Sequence, residues 1–311
     1  MPANVPKAKK KYRQHPSWVP WAFLAPQLIC FICFALIPTV TGLIIPFTKW
    51  KVPGTPVWVG LANFREIFVN SDSTYYWQFR WGLESTIKFV LLVLPFRVLV
   101  PLILAVLLNT HCRGHKLFQS IYYIPNLFSV SIVMASWNYM FHPSAGLANI
   151  LLGLGVKSWG STIPYNWAAM IITTVWWSCG SLMIIFQSAL AGVPRELDEA
   201  ASVDGANFFQ RFLHITIPSI KFPLQYTILT SIAGEFNIWA QSDLLNGGGR
   251  TIEMVNGVNH KANMMLMQYI IDLGFTGKVT NLGIATSMAM VIGVIVFVVS
   301  LIQFRLMRRD Q

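Results

Sequence analysis

Acidic side chains are concentrated in one short stretch of this sequence, and they are its first candidates for chemistry. Four of the twelve acidic residues in the 311-residue chain fall close together: Glu196, Asp198, Glu199 and Asp204. Clustered carboxylates can act as catalytic acids and bases, as a membrane-bound transferase would need, or they can contact a basic partner protein. The stretch lies between two long apolar runs, so its place relative to those runs is needed to choose between the two roles.

A nucleotide-binding loop is a second candidate, because the segment DLGFTGKVT contains Gly277 followed by Lys278. The phosphate-binding motif G-x-x-x-x-G-K-[S/T] requires a glycine where Asp272 stands and a hydroxyl side chain where Val279 stands. Both positions differ from the motif, so we expect that this chain does not hydrolyse ATP itself.

Cysteine and histidine residues give no sign of a metal or redox site. Cys30 and Cys33 form a C-x-x-C pair, but they lie inside the apolar stretch LICFICFALIP, and Cys112 and Cys179 stand alone. We interpret all four as small apolar side chains. The six histidines are scattered and form no H-E-x-x-H motif. The sequence therefore predicts neither a metal nor a cofactor on this chain.

The composition is that of a membrane protein. Hydrophobic residues make up 54% of the chain and charged residues only 11%, well below the roughly 25% that is usual in soluble domains. The net charge of +11 could suggest binding to nucleic acid, but the positive residues lie between the apolar runs and at both ends of the chain. This distribution is typical of loops at an anionic membrane face, so we expect no nucleic-acid partner.

Six apolar stretches are long enough to cross a bilayer as helices, which takes about 20 residues each. They cover residues 18–48, 83–108, 117–141, 167–189, 222–245 and 282–304. The first follows a basic tail, residues 1–17, and is too long for the core of a cleaved signal peptide. The predicted fold is therefore an all-α polytopic membrane protein, with a tail over 1–17 and one six-helix transmembrane domain over 18–311.

Lys and Arg residues are distributed unevenly between the two sides of these spans. With the N-terminus inside, the inner segments have more than twice the Lys and Arg density of the outer segments 49–82, 142–165 and 246–281. The positive-inside rule then places both termini and the acidic stretch in the cytoplasm. In the outer segments, VGLANFREIF and YYWQFRWGL predict short helices lying at the membrane interface.

The acidic stretch predicts two short helices joined by a turn, within a loop over residues 190–220. Pro194 is expected at the first helical position, and the acids after it complement the amide dipoles of the first turns. Asp204 and Gly205 predict the turn, and Asn207 is a favoured cap for a second helix. That helix carries a stripe of bulky side chains: Phe208, Phe209, Phe212 and Leu213. These local properties fit a connector lying on the membrane and a docking element equally well.

The spacing of residues in this loop resembles a known signature. Glu199-Ala200-Ala201 is followed after three residues by Gly205, and after nine more by Ile215-x-Ile217-Pro218. The pattern is similar to the E-A-A-x3-G-x9-I-x-L-P motif of binding-protein-dependent ABC transporter permeases. Within the pattern, the residue before the proline differs, with isoleucine in place of leucine.

The resemblance extends over nearly the whole chain. The segments FLAPQLICFICFALIP, WVGLANFREIF, LLNTHCRGHKLFQSIYYIPNLFS, WNYMFHPSAGLAN and LLNGGG resemble those of maltose-type sugar importer permeases, and more those of the first subunit of the pair. The chain departs from the family at three places. Ser85-Thr86 stands where Asn-Thr is common, Arg250 stands where proline often follows the glycines, and Arg97 interrupts the second span.

This resemblance implies the MetI-like fold of a type I ABC importer permease that catalyses no covalent chemistry. It implies a coupling helix that docks on a cytoplasmic ATPase, formed by Glu199, Ala200, Ala201, Asp204 and Gly205. The implied partners are a second homologous permease, two ATPase copies that carry ATP and magnesium, and an extracytoplasmic solute-binding protein. The implied location is a bacterial or archaeal cell membrane, and the implied solute is a sugar or oligosaccharide, with glycerol phosphate or a polyamine as alternatives.

Polar side chains in the predicted fifth span are candidates for the solute pathway, because a charge at bilayer depth is costly and marks function or pairing. Glu235 and Trp239 share one side of the predicted helix, and Asn237 and Gln241 share another. In the family, this span lines the pathway. Alternatively, Glu235 pairs with Arg97 or Lys88 and holds helices together.

Two other classes of function fit the sequence less well. An ion-coupled secondary transporter would predict inverted internal repeats, and no convincing repeat is found. A membrane-bound transferase would predict catalytic acids or histidines clustered at a membrane face. The spacing of the acidic cluster fits docking better than catalysis.

Overall fold

A computed structural model of the chain describes residues 16, 18–109, 114–153, 159–160, 162–276 and 280–309. Apart from Pro16, the predicted basic tail at 1–17 lies outside the described residues, and so do Cys112 and residues 277–279. The chain divides into two compact units, Met1–Ile44 and Ile45–Gln311.

The described part of the first unit is an apolar helical run. It consists of α1 (Val19–Phe31), a π-helical turn (Ile32–Leu36) and α2 (Ile37–Ile44). Together with the next three residues, the run Val19–Phe47 has 29 residues, which is long enough to cross a bilayer. The hydroxyls of Thr39 and Thr41 donate to backbone carbonyls of the same helix, so they need no other partner in an apolar setting.

The second unit is mainly a helical bundle. Before the acidic loop it contains a 3-10 turn (Ile45–Phe47), α3 (Ala62–Phe68), α4 (Thr74–Asn109), α5 (His115–Leu127), α6 (Val130–Met140), α7 (Leu147–Leu152) and α8 (Tyr165–Leu190). From the loop onward it contains α9 (Arg195–Val203), α10 (Phe208–Arg211), a π-helical turn (Phe212–Thr216), α11 (Ile217–Ser219), α12 (Lys221–Phe236), α13 (Ala240–Asn246), α14 (Leu266–Ile271), another π-helical turn (Asp272–Thr276) and α15 (Leu282–Arg309).

Small antiparallel sheets accompany the helices, which the prediction of an all-α fold did not include. They pair β1 (Thr48–Lys49) with β3 (Val57–Trp58), β2 (Lys51–Val52) with β6 (Thr280–Asn281), and β4 (Thr251–Val255) with β5 (Val258–Lys261). The last pair is a hairpin whose turn uses Asn256 and Gly257, both with positive φ, as tight two-residue hairpins require. His260 of β5 stacks on Trp81 of α4 with ring centroids 4.4 Å apart, which attaches the hairpin to the bundle.

Four helical runs in the described part of the chain are long and apolar enough to span a membrane: Val19–Phe47, Thr74–Asn109, Tyr165–Leu190 and Leu282–Met307. The predicted third span, 117–141, is instead a pair of helices, α5 and α6, that meet at an angle of 102°. Phe128 between them has extended backbone, and the Ser129 hydroxyl caps α6 by accepting a hydrogen bond from the Ile132 amide. Counted as one broken span, this pair gives a fifth crossing.

The predicted fifth span, 222–245, is also interrupted. Helix α12 ends at Phe236 after 16 residues, and α13 begins at Ala240. The intervening Asn237 amide bonds to the carbonyl of Gly234, three residues back, so the regular helical pattern stops there. All six predicted stretches are therefore helical, but two of them are broken rather than continuous.

Helix α4 is longer than the predicted second span, because it begins at Thr74 rather than near residue 83. The stretch YYWQFRWGL forms its first turns and is not the separate interfacial helix that was expected, whereas α3 forms within VGLANFREIF. The exposed side of α4 carries Arg80, Glu84 and Lys88, and from Leu91 to Leu107 it is apolar. This change from charged to apolar exposed side chains is typical of a helix that enters the apolar layer of a membrane.

Close packing of α5 and α8 depends on a glycine. A Cβ at Gly180 would lie 2.3 Å from the Tyr122 carbonyl oxygen, so the backbones approach this closely only because that side chain is absent. The buried apolar side chains form three clusters, which contain Phe89 with Met170, Leu266 with Met288, and Phe186 with Ile220. The third cluster supports the segment that follows the acidic loop.

Candidate functional site

Helix α9 contains the Glu199-Ala200-Ala201 sequence. It begins at Arg195, and Pro194 before it has extended backbone. The expectation that Pro194 occupies the first helical position is therefore wrong by one residue, because the proline precedes the helix. Glu196 and Asp198 lie in the first turn, where their charge complements the exposed amide groups.

The side chains of α9 are largely uncovered. Those from Glu196 to Ala200 are exposed, Ala201 is partly buried, and Val203 is 88% exposed. Leu197 is exposed as well, so apolar as well as acidic side chains face outward. Uncovered apolar side chains beside carboxylates on a short helix fit contact with another protein surface.

The glycine of the signature ends α9 in a Schellman turn. Gly205 has a φ of +81° and donates its amide to the Ser202 carbonyl at 3.2 Å, while the Ala206 amide donates to the Ala201 carbonyl at 2.9 Å. These are the two bonds that define the motif. Apart from Gly205 and its two chain neighbours, no atom of the described residues lies within 4 Å of the place that a Cβ at Gly205 would take. The requirement for glycine therefore comes from the backbone and not from packing.

A second helix starts directly after this turn, as predicted. The Asn207 side-chain oxygen accepts a hydrogen bond from the Gln210 amide at 2.9 Å, and the Gln210 side chain accepts one from the Asn207 amide at 2.8 Å. This reciprocal capping box fixes the start of α10. Arg211 of α10 lies 3.5 Å from the Asp198 carboxylate of α9, so an ion pair also bridges the two helices across the turn.

The predicted bulky stripe is divided between exposed and packed side chains. Phe208, Phe209 and Leu213 are exposed, whereas Phe212 packs against the buried cluster that contains Ile220. The helical backbone continues from α10 through the π-helical turn and α11 and, after the single residue Ile220, into α12. The acidic loop is thus built directly onto the start of α12.

Glu235, near the end of α12, is 1% exposed. Its carboxylate forms an ion pair with the guanidinium of Arg97 on α4. Lys88, the other partner considered for Glu235, lies 5.0 Å from the centre of the Trp167 ring instead. The geometry therefore favours pairing between helices over direct contact of Glu235 with a solute.

Glu235 and Trp239 do not share one side of a helix, and neither do Asn237 and Gln241, because α12 stops one residue after Glu235. The expected arrangement of these residues on one continuous helix is therefore wrong. Asn237 is exposed and donates to the Ala233 carbonyl at 2.9 Å, Trp239 is exposed, and Gln241 is buried. Asn237 and Trp239 are thus the two of these four residues whose side chains are exposed.

An exposed polar side of α12 was missed by the sequence analysis. Tyr226, Thr230, Gly234 and Asn237 are all exposed and recur at helical spacing. Polar side chains avoid lipid, so this side of α12 is suited to a polar cavity or to contact with another protein. In the sequence these residues form a series of two hydroxyls, a glycine and an amide at helical spacing. The apolar residues between them make this series hard to recognise.

Comparison with known proteins is consistent with these features. Residues 82–309 match the protein family described as "Binding-protein-dependent transport system inner membrane component". The matched region starts inside α4 and ends with α15, so it includes the α9 loop, Arg97 and Glu235.

Two relatives are similar over nearly the full length. "Probable ABC transporter permease protein YesP" of Bacillus subtilis (strain 168) is 30% identical, over 98% of this chain and 96% of its own. "Arabinooligosaccharides transport system permease protein AraP" of the same organism is 30% identical, over 92% of this chain and 88% of its own.

Solved structures show a similar fold. The crystal structure of a bacterial ABC transporter involved in the import of the acidic polysaccharide alginate contains a chain with a TM-score of 0.76 to this one. The two chains are 24% identical, and the similarity covers 94% of this chain and 96% of the other. The described helices therefore adopt the permease fold that the resemblance implied.

Proposed function

Because the chain belongs to the family of binding-protein-dependent transport system inner membrane components, we propose that it forms part of the path of an ABC importer for a sugar or oligosaccharide. The observation that carries the proposal is the short connection from the exposed helix α9, through the Gly205 turn and α10, into α12. Helix α12 bears both the Arg97–Glu235 ion pair and the exposed polar side. One segment thus joins a surface suited to a partner protein to a helix suited to a solute path.

The side chains of α9 support docking on a cytoplasmic ATPase. Ala200 and Ala201 allow close approach of another backbone, and Glu199 and Asp204 offer carboxylates to a basic partner. An exposed ion pair contributes at most about 1 kcal/mol, so the fit of the whole helix must provide most of the binding. The exposed Leu197 and Val203 supply apolar area for that fit.

Movement of the docked helix reaches the membrane through α10 and α12. The Schellman turn at Gly205, the Asn207 capping box and the Asp198–Arg211 ion pair define the angle between α9 and α10. From α10 the backbone runs on into α12, so displacement of α9 by an ATPase tilts or shifts α12. Alternating access of the solute path to the two sides of the membrane is the expected result.

A hydroxyl-rich solute suits the exposed side of α12. Tyr226, Thr230 and Asn237 offer uncharged hydrogen-bonding groups, and Trp239 offers a ring face on which a sugar can stack. The charges of Arg97 and Glu235 neutralise each other, so the path presents no strong net charge there. The name of the relative AraP, which refers to arabinooligosaccharides, supports the same class of solute.

The proposed assembly contains this chain, a second homologous permease, two copies of a cytoplasmic ATPase that bind ATP and magnesium, and an extracytoplasmic binding protein. In this proposal both termini and the α9 loop lie in the cytoplasm, and the Lys and Arg distribution supports that orientation. ATP hydrolysis is assigned to the ATPase subunits, because the segment around Gly277 and Lys278 departs from the phosphate-binding motif.

The test is ATP hydrolysis by the purified complex, reconstituted with its co-purifying chains and with its binding protein. The solutes compared are arabino-oligosaccharides, malto-oligosaccharides, glycerol 3-phosphate and spermidine. We expect an oligosaccharide to stimulate hydrolysis in the presence of the binding protein. Stimulation by glycerol 3-phosphate or spermidine alone would overturn the sugar assignment. Uptake driven by an ion gradient without any ATPase chain would overturn the importer class itself.

A further inference from the structure

One face of α12 is polar although it is buried. Thr227, Ser231 and Glu235 recur at four-residue spacing, so they lie above one another on the same face of the helix. Each of the three is at most 1% exposed. Helix α12 packs against α4, α8 and α15, and Glu235 at the end of the row meets Arg97 of α4.

The two hydroxyls of this row have no hydrogen-bond partner among the residues that the structure describes. Hydroxyls in membrane helices often donate to a carbonyl of the preceding turn, as Thr230 does to the Tyr226 carbonyl at 2.9 Å. The Nε of Arg97 also lacks an acceptor within the described part of the chain. Leaving a buried polar group unpaired is unfavourable, so two such hydroxyls in the row and the Arg97 Nε near its end indicate a ligand that pairs with them.

The spacing of the row fits water. Residues four positions apart in an α-helix are separated by about 6 Å along the axis. A water molecule bonded to two hydroxyls spans about 5.6 Å, because each O···O bond is about 2.8 Å long. Buried waters bridge polar groups that are otherwise unsatisfied. We propose that a file of bound water runs along α12 from Thr227 past Ser231 to the Arg97–Glu235 ion pair.

This water gives the ion pair alternative partners. When α12 moves relative to α4, Glu235 accepts hydrogen bonds from water and from Ser231, while Arg97 donates to water. Both charges therefore stay solvated while their separation changes. A dry interface would instead leave each charge uncompensated as the pair opens, which is strongly unfavourable. The file allows α4 and α12 to shift past each other inside one subunit.

Thermal unfolding of the purified complex tests the proposal through the sign of the change in Tm. Thr227→Val keeps the shape of the side chain and removes its hydrogen-bonding capacity, and Ser231→Ala is the corresponding change one turn along. We expect the double variant to lower Tm by about 2–4 °C, because the ion pair loses its bridging water. The exposed Thr230→Val serves as the matched control. Thr227→Ser keeps the hydroxyl, so its Tm is expected to stay close to that of the unchanged protein.

If the hydroxyls of Thr227 and Ser231 have no bound water, the opposite result is expected, because removal of an unpaired buried polar group is neutral or stabilising. An unchanged or raised Tm in the double variant therefore overturns the proposal. Radiolytic hydroxyl labelling gives a second readout, since bound water labels the side chains beside it. Ile228 and Ile232 are partly exposed, so their labelling is compared between variants and not with that of a buried residue. We expect both to be labelled less in the double variant than in Thr230→Val. Equal labelling in the two variants would also overturn the proposal, and neither readout depends on transport.

Discussion

Arg97 of α4 and Glu235 of α12 form an ion pair inside the helical bundle. The two charges are tolerated there because each compensates the other, and removing one leaves the second uncompensated. Helix α12 is the continuation of the exposed α9 loop, and α4 is the longest of the described helices, with 36 residues. The pair therefore ties the helix that follows the α9 loop to the longest of the described helices.

Breaking this ion pair should destabilise the protein. We expect Glu235→Gln and Arg97→Gln each to lower the free energy of unfolding by about 3–5 kcal/mol, because each leaves one buried charge unpaired. The double variant should lose clearly less than the sum of the two single changes. Unfolding of the four proteins of this double-mutant cycle measures the coupling, and Lys88→Gln, at an exposed position of α4, is the control with a small expected effect.

Strictly additive losses in that cycle would contradict the pairing. A second possible result would assign Glu235 to the solute path instead of to pairing. If the Glu235→Gln complex assembled with normal stability and basal ATP hydrolysis but transported poorly, the carboxylate would belong to the solute path.

Replacing Gly205 should weaken the coupling between the ATPase and the permease, and the cause should be backbone strain alone. Gly205→Ala forces a Cβ into a left-handed conformation, which costs about 1–2 kcal/mol, and Gly205→Asn should be milder because asparagine tolerates this conformation better. The measurement is solute-stimulated ATP hydrolysis of the reconstituted complex, with reduced stimulation expected for alanine. Gly192→Ala is the matched control, since an added Cβ there meets its nearest described neighbour, the Ala189 carbonyl oxygen, at an ordinary 3.5 Å. Equal effects at the two glycines would count against the Schellman turn as the cause.

Reversing the charge of Glu199 should impair docking on the ATPase. Glu199→Lys turns an attraction to a basic surface into a repulsion, and a change of about 1.4 kcal/mol corresponds to a tenfold weaker interaction. We expect a fall of this order in solute-stimulated hydrolysis and in uptake, with the fold of the permease retained. Glu84→Lys, on the exposed side of α4, is the control. Unchanged stimulation in Glu199→Lys would show that α9 does not make the coupling contact.

Replacing either of two helix glycines by alanine should have different effects on the free energy of unfolding. Gly180→Ala places a methyl group against the Tyr122 carbonyl, so we expect a loss of about 1–3 kcal/mol in the free energy of unfolding. Gly293→Ala in α15 meets no described atom within 4 Å and should be neutral or slightly stabilising, because alanine favours helix. Thermal unfolding of both variants provides the comparison, and similar losses at both positions would contradict the tight α5–α8 contact.

Local signals in the sequence predicted the α9 loop well, because its main features act within a few residues. A glycine with positive φ and an asparagine cap each satisfy neighbouring backbone groups, so Gly205 and Asn207 could be interpreted without knowledge of the rest of the fold. Pro194 was misplaced by one residue because the position before a helix and its first position are both compatible with proline.

Features that depend on contacts between distant segments could not be predicted in the same way. Arg97 and Lys88 were both possible partners of Glu235, and only packing of α4 against α12 distinguishes them. The breaks near Ser129 and Asn237 were hidden because hydropathy averages over about 19 residues and passes over single polar caps. The exposed polar side of α12 was missed for the same reason.

A motif that ends one helix and a motif that begins the next lie side by side between Ala201 and Gln210. The Schellman turn closes α9 with its own hydrogen bonds, and the capping box opens α10 with a separate set. Opening of α9 therefore breaks no backbone bond of α10, so we expect the nine residues of α9 to open as a local unit. Amide hydrogen exchange confined to Arg195–Val203 is thus a direct reporter of how long a partner protein covers this helix.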